Sequence, residues 1–291
     1  MMGSIAASVT TETTIASLRA GDPVDAIFAC ARKDRLQARS GSPYLALELR
    51  DRTGAIAARV FRDADLLSGR FERGDLVRVA GRVERFRDEL QLEVRAIARA
   101  EGADPAAFLP VAYRDLDELD GFLEHLAREV HDPGYRGLLD RLLGDEELRA
   151  AWRRAPCTRG GHHAYLGGLL EHTVAVGTLA LELAPLHPRL NPDLLLSAAL
   201  VHDLGKTREF TYAAEIGLSE EGRLLGHLVL GQQILDAHAG DLAADRRLAL
   251  SHCVLSHHGP RERIATPEAL ALYRLNALDA SVKGALEQGL R

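Results

Sequence analysis

The sequence predicts a two-domain chain: a small five-stranded β-barrel followed by an all-α domain. Two observations carry this. The hydrophobic period changes from two residues to about 3.6 just after residue 100, and a stretch rich in Gly, Pro and Ala lies at the change. A third is the uneven placement of charge and histidine. Residues 1–100 hold 17 Arg and Lys against 14 Asp and Glu, the rest of the chain is net −9, and all 12 histidines lie at or after position 125. A mildly basic front and an acidic, histidine-rich back suggest two jobs.

The front half supplies five alternating segments, VDAIFACARKDRL, PYLALELRD, GAIAARVF, DLVRVAGRVERF and LQLEVRAIARA. Asp51-Arg52-Thr53-Gly54 and Arg73-Gly74-Asp75 are the turn signals between them, and residues 64–72 suit a short helix between strands three and four. Five strands with that interruption fit a closed barrel of the oligonucleotide-binding (OB) type over residues 21–100, behind a tail at 1–20. EGADPAAFLPVA, residues 101–112, is the linker. From 113 to 291 the pattern predicts helices over 113–130, 134–143, 145–154, 163–184, 192–204, 221–239, 242–258 and 266–288, with no strand.

Composition is that of a globular chain, 46% hydrophobic and 27% charged, with no uninterrupted apolar run near the ~18 residues of a membrane span. The first 20 residues lack the basic start and apolar core of a signal peptide, so a cytoplasmic location is expected. Three cysteines, Cys30, Cys157 and Cys253, far apart and odd in number, argue against a disulfide framework and a cysteine zinc site. There is no GxxxxGK[ST] loop and no GxSxG elbow.

The chemistry lies in polar residues placed where the helical pattern predicts burial. His172 sits in LGGLLEHTVAVGTLALEL, His202 and Asp203 end LLLSAALVHD, His227 lies in GRLLGHLVLGQQIL, His257 and His258 close RRLALSHCVLSHH, and Asp279 interrupts YRLNALDASV. Burying so many polar groups without partners costs several kcal/mol each, about 2–7. They must satisfy one another or bind something, and imidazole with carboxylate suits Zn²⁺, Mn²⁺ and Fe²⁺. Lys206 adds to this: the chain has 33 Arg and only 3 Lys, so a Lys three residues after Asp203 suggests that a compact ammonium is wanted, against a phosphate oxygen. In the barrel, Arg32, Lys33, Arg35, Arg39, Arg50 and Arg59 are candidates for phosphate contact, and Phe28, Tyr44, Phe61 and Phe86 for base stacking.

The ordered set His172, His202-Asp203 and Asp279 resembles the signature of the HD-domain metal-dependent phosphohydrolases. His227 and His257-His258 resemble the subset of that superfamily that holds two metals. HHAYLGGLLEHT, LLLSAALVHDLGKT, GRLLGHL and SHHG behind an OB barrel are similar to the YhaM-type 3′-to-5′ exoribonucleases, over about residues 20–285. The resemblance implies one metal on His172, His202, Asp203 and Asp279, and a second on Asp203, His227, His257 and His258 with Asp203 bridging. It makes His162 and His163 substrate-phosphate or leaving-group residues, with a structural role in the first turn as the alternative, Arg159 their helper, and Asp203, Lys206 and His163 the catalytic set. It further implies two divalent ions, Mn²⁺ first with Fe²⁺, Co²⁺ or Mg²⁺ as alternatives, single-stranded RNA (or single-stranded DNA) as substrate, and self-association. Nucleic-acid contacts fall to Lys33, Arg39, Tyr44, Arg50, Phe61, Arg159 and His162. The competing reading is a phosphohydrolase for a small nucleotide or cyclic dinucleotide, with the barrel as a regulatory module. Two departures from the pattern stand out: PRERIATPEA follows SHHG, and Asn276 precedes the last aspartate by three residues.

Overall fold

The computed structural model describes residues 13–38, 41–212, 215–259 and 263–288. The chain divides into two compact units, Met1–Pro110 with Tyr212–Glu215, and Val111–Thr211 with Ile216–Arg291.

The first is a closed barrel of β1 (Pro23–Gln37), β2 (Pro43–Asp51), β3 (Gly54–Val60), β4 (Leu76–Phe86) and β5 (Glu89–Arg99), in the order β1-β2-β3-β5-β4. The β3–β5 pairing is parallel, with Ala57 opposite Gln91; the other pairings are antiparallel. Closure depends on β1, whose first half pairs with β4 and whose second half pairs with β2 across a bulge between Cys30 and Arg32. Alternation sends Leu45, Leu47 and Leu49 inward with Phe28, Val77, Val79 and Leu92. The predicted DRTG turn forms because Asp51 holds it: its carboxylate accepts from the Thr53 N–H at 2.7 Å, the Thr53 hydroxyl at 2.6 Å and the Ile15 N–H at 2.7 Å. The helix α1 (Ala64–Ser68) lies between β3 and β4.

The second unit is helical: α2 (Leu116–Arg128), α3 (Pro133–Gly144), α4 (Glu146–Arg154), α5 (Gly168–Leu183), α6 (Pro192–Val201), α7 (Lys206–Glu209), α8 (Glu220–His238), α9 (Ala244–Ser256) and α10 (Pro267–Gln288). Residues 194–201 of α6 are buried on every side, as expected of a helix that is apolar all round. The segment Gly168–Leu186 is long and apolar enough to cross a membrane by length and composition, although polar residues such as Glu171 and His172 interrupt it. Here it packs against α2, α4, α6 and α10 in the core.

The structure departs from the sequence pattern in four places. The helix expected from 163 begins at Gly168, because His163 takes a left-handed backbone (φ 51°) that a helix cannot contain. The helix expected to run through 204 stops at Val201, and i+3 bonds such as Lys206 N–H to Asp203 C=O tighten the following turn. The helix expected over 221–239 is broken at Gly226 (φ 70°, ψ 163°). The unit is not purely helical: β6 (Phe210–Tyr212) and β7 (Ile216–Leu218) form a two-stranded sheet whose three-residue strands are too short for alternation to show.

One ion cluster fastens α2 to α4. The buried Asp120 carboxylate accepts from Arg149 Nη2 at 2.8 Å and Arg153 Nη1 at 2.7 Å. Burial works against its charge, but the two guanidiniums outweigh it and hold its pKa below the ordinary value. A depressed folded pKa means stability that is present above about pH 4 and lost as pH falls through the folded value. Asp120→Ala is expected to cost about 2 kcal/mol at pH 7, in line with hydrogen bonds to charged groups. The cost should shrink toward pH 3 in urea unfolding; a cost independent of pH would remove this role for Asp120.

Candidate metal centre

Five elements of the helical unit place the predicted ligands. His172 lies early in α5, His202 and Asp203 occupy the turn after α6, His227 follows the break in α8, His257 and His258 follow α9, and Asp279 lies within α10. His172, His202 and His257 are fully buried, and Asp203 nearly so.

The ring orientations follow from what each Nδ1 faces. His202 Nδ1 lies 2.9 Å from the Ala199 carbonyl and His257 Nδ1 lies 2.6 Å from the Val254 carbonyl. A carbonyl only accepts, so both Nδ1 atoms carry a proton and both Nε2 atoms are turned the other way, into the cluster. His172 Nδ1 donates to Asp279 Oδ2 at 2.6 Å, and His227 Nδ1 to Glu209 Oε1 at 3.2 Å. Four Nε2 atoms therefore point inward, and those of His172 and His202 stand 3.1 Å apart.

Asp203 stands between the imidazoles. Oδ2 is 3.6 Å from His172 Nε2 and 3.4 Å from His202 Nε2, while Oδ1 is 3.5 Å from His227 Nε2 and 3.4 Å from His257 Nε2. Oδ1 and His257 Nε2 are buried with no hydrogen-bond partner among the described residues. Donor atoms about 2.0–2.2 Å from one ion stand roughly 3–3.5 Å apart, so the residues fit divalent cations. Two donor groups share Asp203: His172, His202 and Asp203, and Asp203, His227, His257 and His258. Burial opposes the charge on Asp203, but Lys206, with Nζ 2.7 Å from Oδ2, and the surrounding imidazoles drive its pKa well below the ordinary range.

Asp279 meets the cluster through His172 and His163. Its Oδ2 binds His172 Nδ1, on the side of the ring away from His202, and accepts from His163 Nε2 at 3.0 Å. With His163 and His172 it forms a further group that could hold a metal ion, and the same carboxylate–imidazole contact fixes the orientation of the His172 ring and raises its basicity. His163 belongs to the same group. It is buried, its Nδ1 meets the Tyr165 hydroxyl at 2.9 Å, and that hydroxyl donates to Glu171, which also pairs with Lys283 at 2.9 Å. His163 thus positions Asp279.

A cleft of about 460 Å³ opens beside these groups, lined by Arg159, His162, Lys206, His227, His257, His258, Tyr273 and Asn276 among others. Burial first, then the neighbouring His172 and Lys206, push the His162 pKa down to about 4, so its ring is neutral at pH 7. Sequence reasoning missed Glu209, Tyr165, Glu171, Lys283 and Cys157. Glu171 carried the signal already used elsewhere, a carboxylate inside an apolar helix. Glu209 carried none, since only the break at Gly226 frees the His227 N–H, which donates to Glu209 Oε1 at 3.0 Å.

In the barrel, Tyr44 and Phe61 form a tilted pair with ring centroids 5.6 Å apart, and Phe61 is 53% exposed. A groove of about 330 Å³ runs over the outer face of β1, β2 and β3, with Arg32 and Arg59 in its walls. Arg50 is half-exposed and paired with Glu48. Lys33 is a correction: its buried ammonium donates to the Ser68 and Phe71 carbonyls at 2.7 and 2.5 Å, so it ties the barrel together instead of meeting phosphate. Phe28 is a second, being fully buried in the core and unable to stack on a base. Arg39 lies outside the described residues.

Comparison with known proteins agrees with this division. The HD domain family matches residues 169–281, and the OB-fold nucleic acid binding domain family matches residues 29–98. The "3′-5′ exoribonuclease YhaM" of Shouchella clausii is 30% identical over 278 residues, covering 91% of this chain and 85% of that protein. That of Bacillus subtilis is 29% identical over 272 residues, covering 90% of this chain and 86% of the relative. Among solved structures, the second OB-fold domain of replication protein A from Methanococcus maripaludis is 20% identical with a TM-score of 0.26, covering 31% of this chain and 96% of that domain; the barrel assignment rests on strand order instead. With an OB barrel, a metal-dependent HD domain and this identity over most of both chains, the chain belongs to the family of the YhaM exoribonucleases.

Proposed function

We propose that this chain is a metal-dependent hydrolase that shortens single-stranded RNA from its 3′ end, with two divalent ions, Mn²⁺ first among them. The observation that carries the reading is Asp203, whose two oxygens face two separate sets of imidazole nitrogens, one of them on His227 and His257, which line the cleft. Ions held there supply Lewis acidity and a water that loses its proton near neutral pH.

The residues around them do the rest. Lys206 keeps Asp203 ionised and offsets charge at the cleft wall. Arg159 and neutral His162 line the entrance, where an incoming strand presents phosphate oxygens. Asp279, Glu209 and the backbone carbonyls of Ala199 and Val254 hold the imidazoles in one orientation. The Tyr44–Phe61 pair and the arginines of the barrel groove suit a strand that stacks its bases and exposes its phosphates. Three free cysteines, all buried, accord with a reducing cytoplasm.

The test is 5′-labelled single-stranded RNA with the Mn²⁺-loaded protein. A ladder receding from the 3′ end is expected, abolished by EDTA, restored by Mn²⁺, and absent in His202→Ala. Intact RNA alongside rapid turnover of a mononucleotide or cyclic dinucleotide would shift the reading to a small-nucleotide hydrolase. Replacing both Tyr44 and Phe61 with alanine should raise KM for long RNA by roughly 10-fold or more with kcat little changed, since stacking contributes about 1–3 kcal/mol per base. An unchanged KM would remove the pair from the strand path.

A further inference from the structure

A third set of donors meets inside the helical unit. Cys157 Sγ, His162 Nε2 and a ring nitrogen of His172 all lie within 4.8 Å of one another. We propose that Cys157 and His162 form a thiolate–imidazole site for Zn²⁺ or a softer cation, and that this ion, when bound, draws on His172 and so inhibits the enzyme. The inference goes beyond the proposed function and rests on donor geometry.

The distance fits. With Zn–S near 2.3 Å and Zn–N near 2.0–2.1 Å, a tetrahedral ion holds sulfur and nitrogen about 3.6 Å apart. Cys157 Sγ and His162 Nε2 are 3.7 Å apart. Asp203 Oδ2, 3.8 Å from Sγ, is within reach as a further donor.

The two side chains are also held in place before any ion arrives. The Cys157 N–H donates to the His163 carbonyl at 3.0 Å, the Thr158 hydroxyl to the His162 carbonyl at 2.8 Å, and the Gly161 N–H to the Thr158 hydroxyl at 2.9 Å. These bonds fold residues 157–163 back on themselves and bring sulfur and imidazole together.

Charge and softness decide which ion enters. Lys206 Nζ, 3.4 Å from Sγ, offsets one negative charge, and the thiolate and Asp203 supply two. The thiol proton passes to solvent as the sulfur–metal bond forms, and no oxidation is involved. Thiolate favours Zn²⁺ and Cd²⁺ over Mn²⁺ or Mg²⁺, so the activating ion does not compete for the sulfur. Cys157 is the cysteine this proposal assigns to zinc. Cys30 and Cys253 lie in the apolar cores of the barrel and the helical unit.

Titrating the full-length, metal-free protein with Cd²⁺ tests binding without reference to activity. The expected result is ultraviolet cadmium–thiolate absorption for one sulfur, displaced by Zn²⁺, lost in Cys157→Ser and kept in Cys253→Ser. No such band at saturating Cd²⁺, or an undiminished band in Cys157→Ser, overturns the site. Should Cys157→Ser fail to fold, cadmium NMR of the wild type decides: a thiolate-ligated resonance supports the site, and nitrogen and oxygen ligation alone overturns it. In Mn²⁺-supported RNA hydrolysis, Cys157→Ser should raise the half-inhibitory Zn²⁺ concentration by about 10-fold or more, each protein scaled to its own rate without Zn²⁺. Zn²⁺ that binds at Cys157 without inhibiting overturns the sharing of His172.

Discussion

Asp203→Asn is expected to abolish RNA hydrolysis and to destabilise the metal-free protein by about 3–5 kcal/mol, the cost of removing one partner of a buried ion pair. Two separate effects combine. The carboxylate is common to both donor groups, so its loss weakens both; the activity should fall by more than the roughly 10–100-fold that changes behind the ligands cost. The substitution also strands Lys206, which is 6% exposed and 2.7 Å from Asp203 Oδ2. Burial penalises its ammonium, and the Asp203 carboxylate and Cys157 sulfur are what raise its pKa against that penalty. Adding Lys206→Met removes the stranded charge. The double variant should recover most of the stability in urea unfolding while its metal content and activity stay low, because an apolar replacement of a buried pair is often neutral. If Asp203→Asn alone keeps wild-type stability, Lys206 has another counter-charge. If it keeps activity, Asp203 is not shared between the donor groups.

Gly205→Ala should have the second-largest effect. The backbone of Gly205 is ordinary right-handed helix (φ −61°), so backbone conformation does not demand glycine here. Space does. A Cβ at this position would lie 2.0 Å from the His227 carbonyl oxygen and 2.4 Å from the Gly231 nitrogen, both backbone atoms that cannot rotate away. The helices α7 and α8 must move apart, and His227 and Glu209 move with them. A stability loss of at least about 1–3 kcal/mol follows from overpacking. Activity should fall by about 100-fold, the scale of a displacement near 1 Å in a reacting site. Gly284→Ala is the control: its Cβ meets nothing within 4 Å, and within α10 alanine should be neutral or stabilising by up to about 1 kcal/mol. A Gly205→Ala protein with wild-type melting temperature and rate would show that α7 and α8 are not locked together.

Much of this was legible in the residues. The barrel strands announce themselves because alternation of period two over seven to fifteen residues has no other economical reading, and β1 to β5 appear where LELRD, ARVF and their neighbours place them. The ligand imidazoles and Asp203 were legible because polar side chains inside apolar helices require partners. The basic residues of the barrel were not, because a Lys33 that caps carbonyls and an arginine that faces solvent have the same local sequence context. Phe28 and Phe61 likewise lie in similar strand patterns, and only the direction of the pleat separates a core residue from an exposed one.

By itself the sequence determined the two domains, the five strands, the helical character of the rear half and the set of imidazoles and carboxylates that converge there. Those depend on local periodicity and on the cost of burying polar atoms, and both can be read along the chain. The tertiary structure alone decided what the Nδ1 atoms of His172, His202, His227 and His257 face, that Asp279 stands beside His172, that Glu209 supports His227, and that Cys157 faces His162. These are contacts between segments set by the left-handed turn at His163, the break at Gly226 and the close approach of Gly205 to α8. A difference of an ångström in packing decides such contacts, and no spacing along the chain encodes a distance that small.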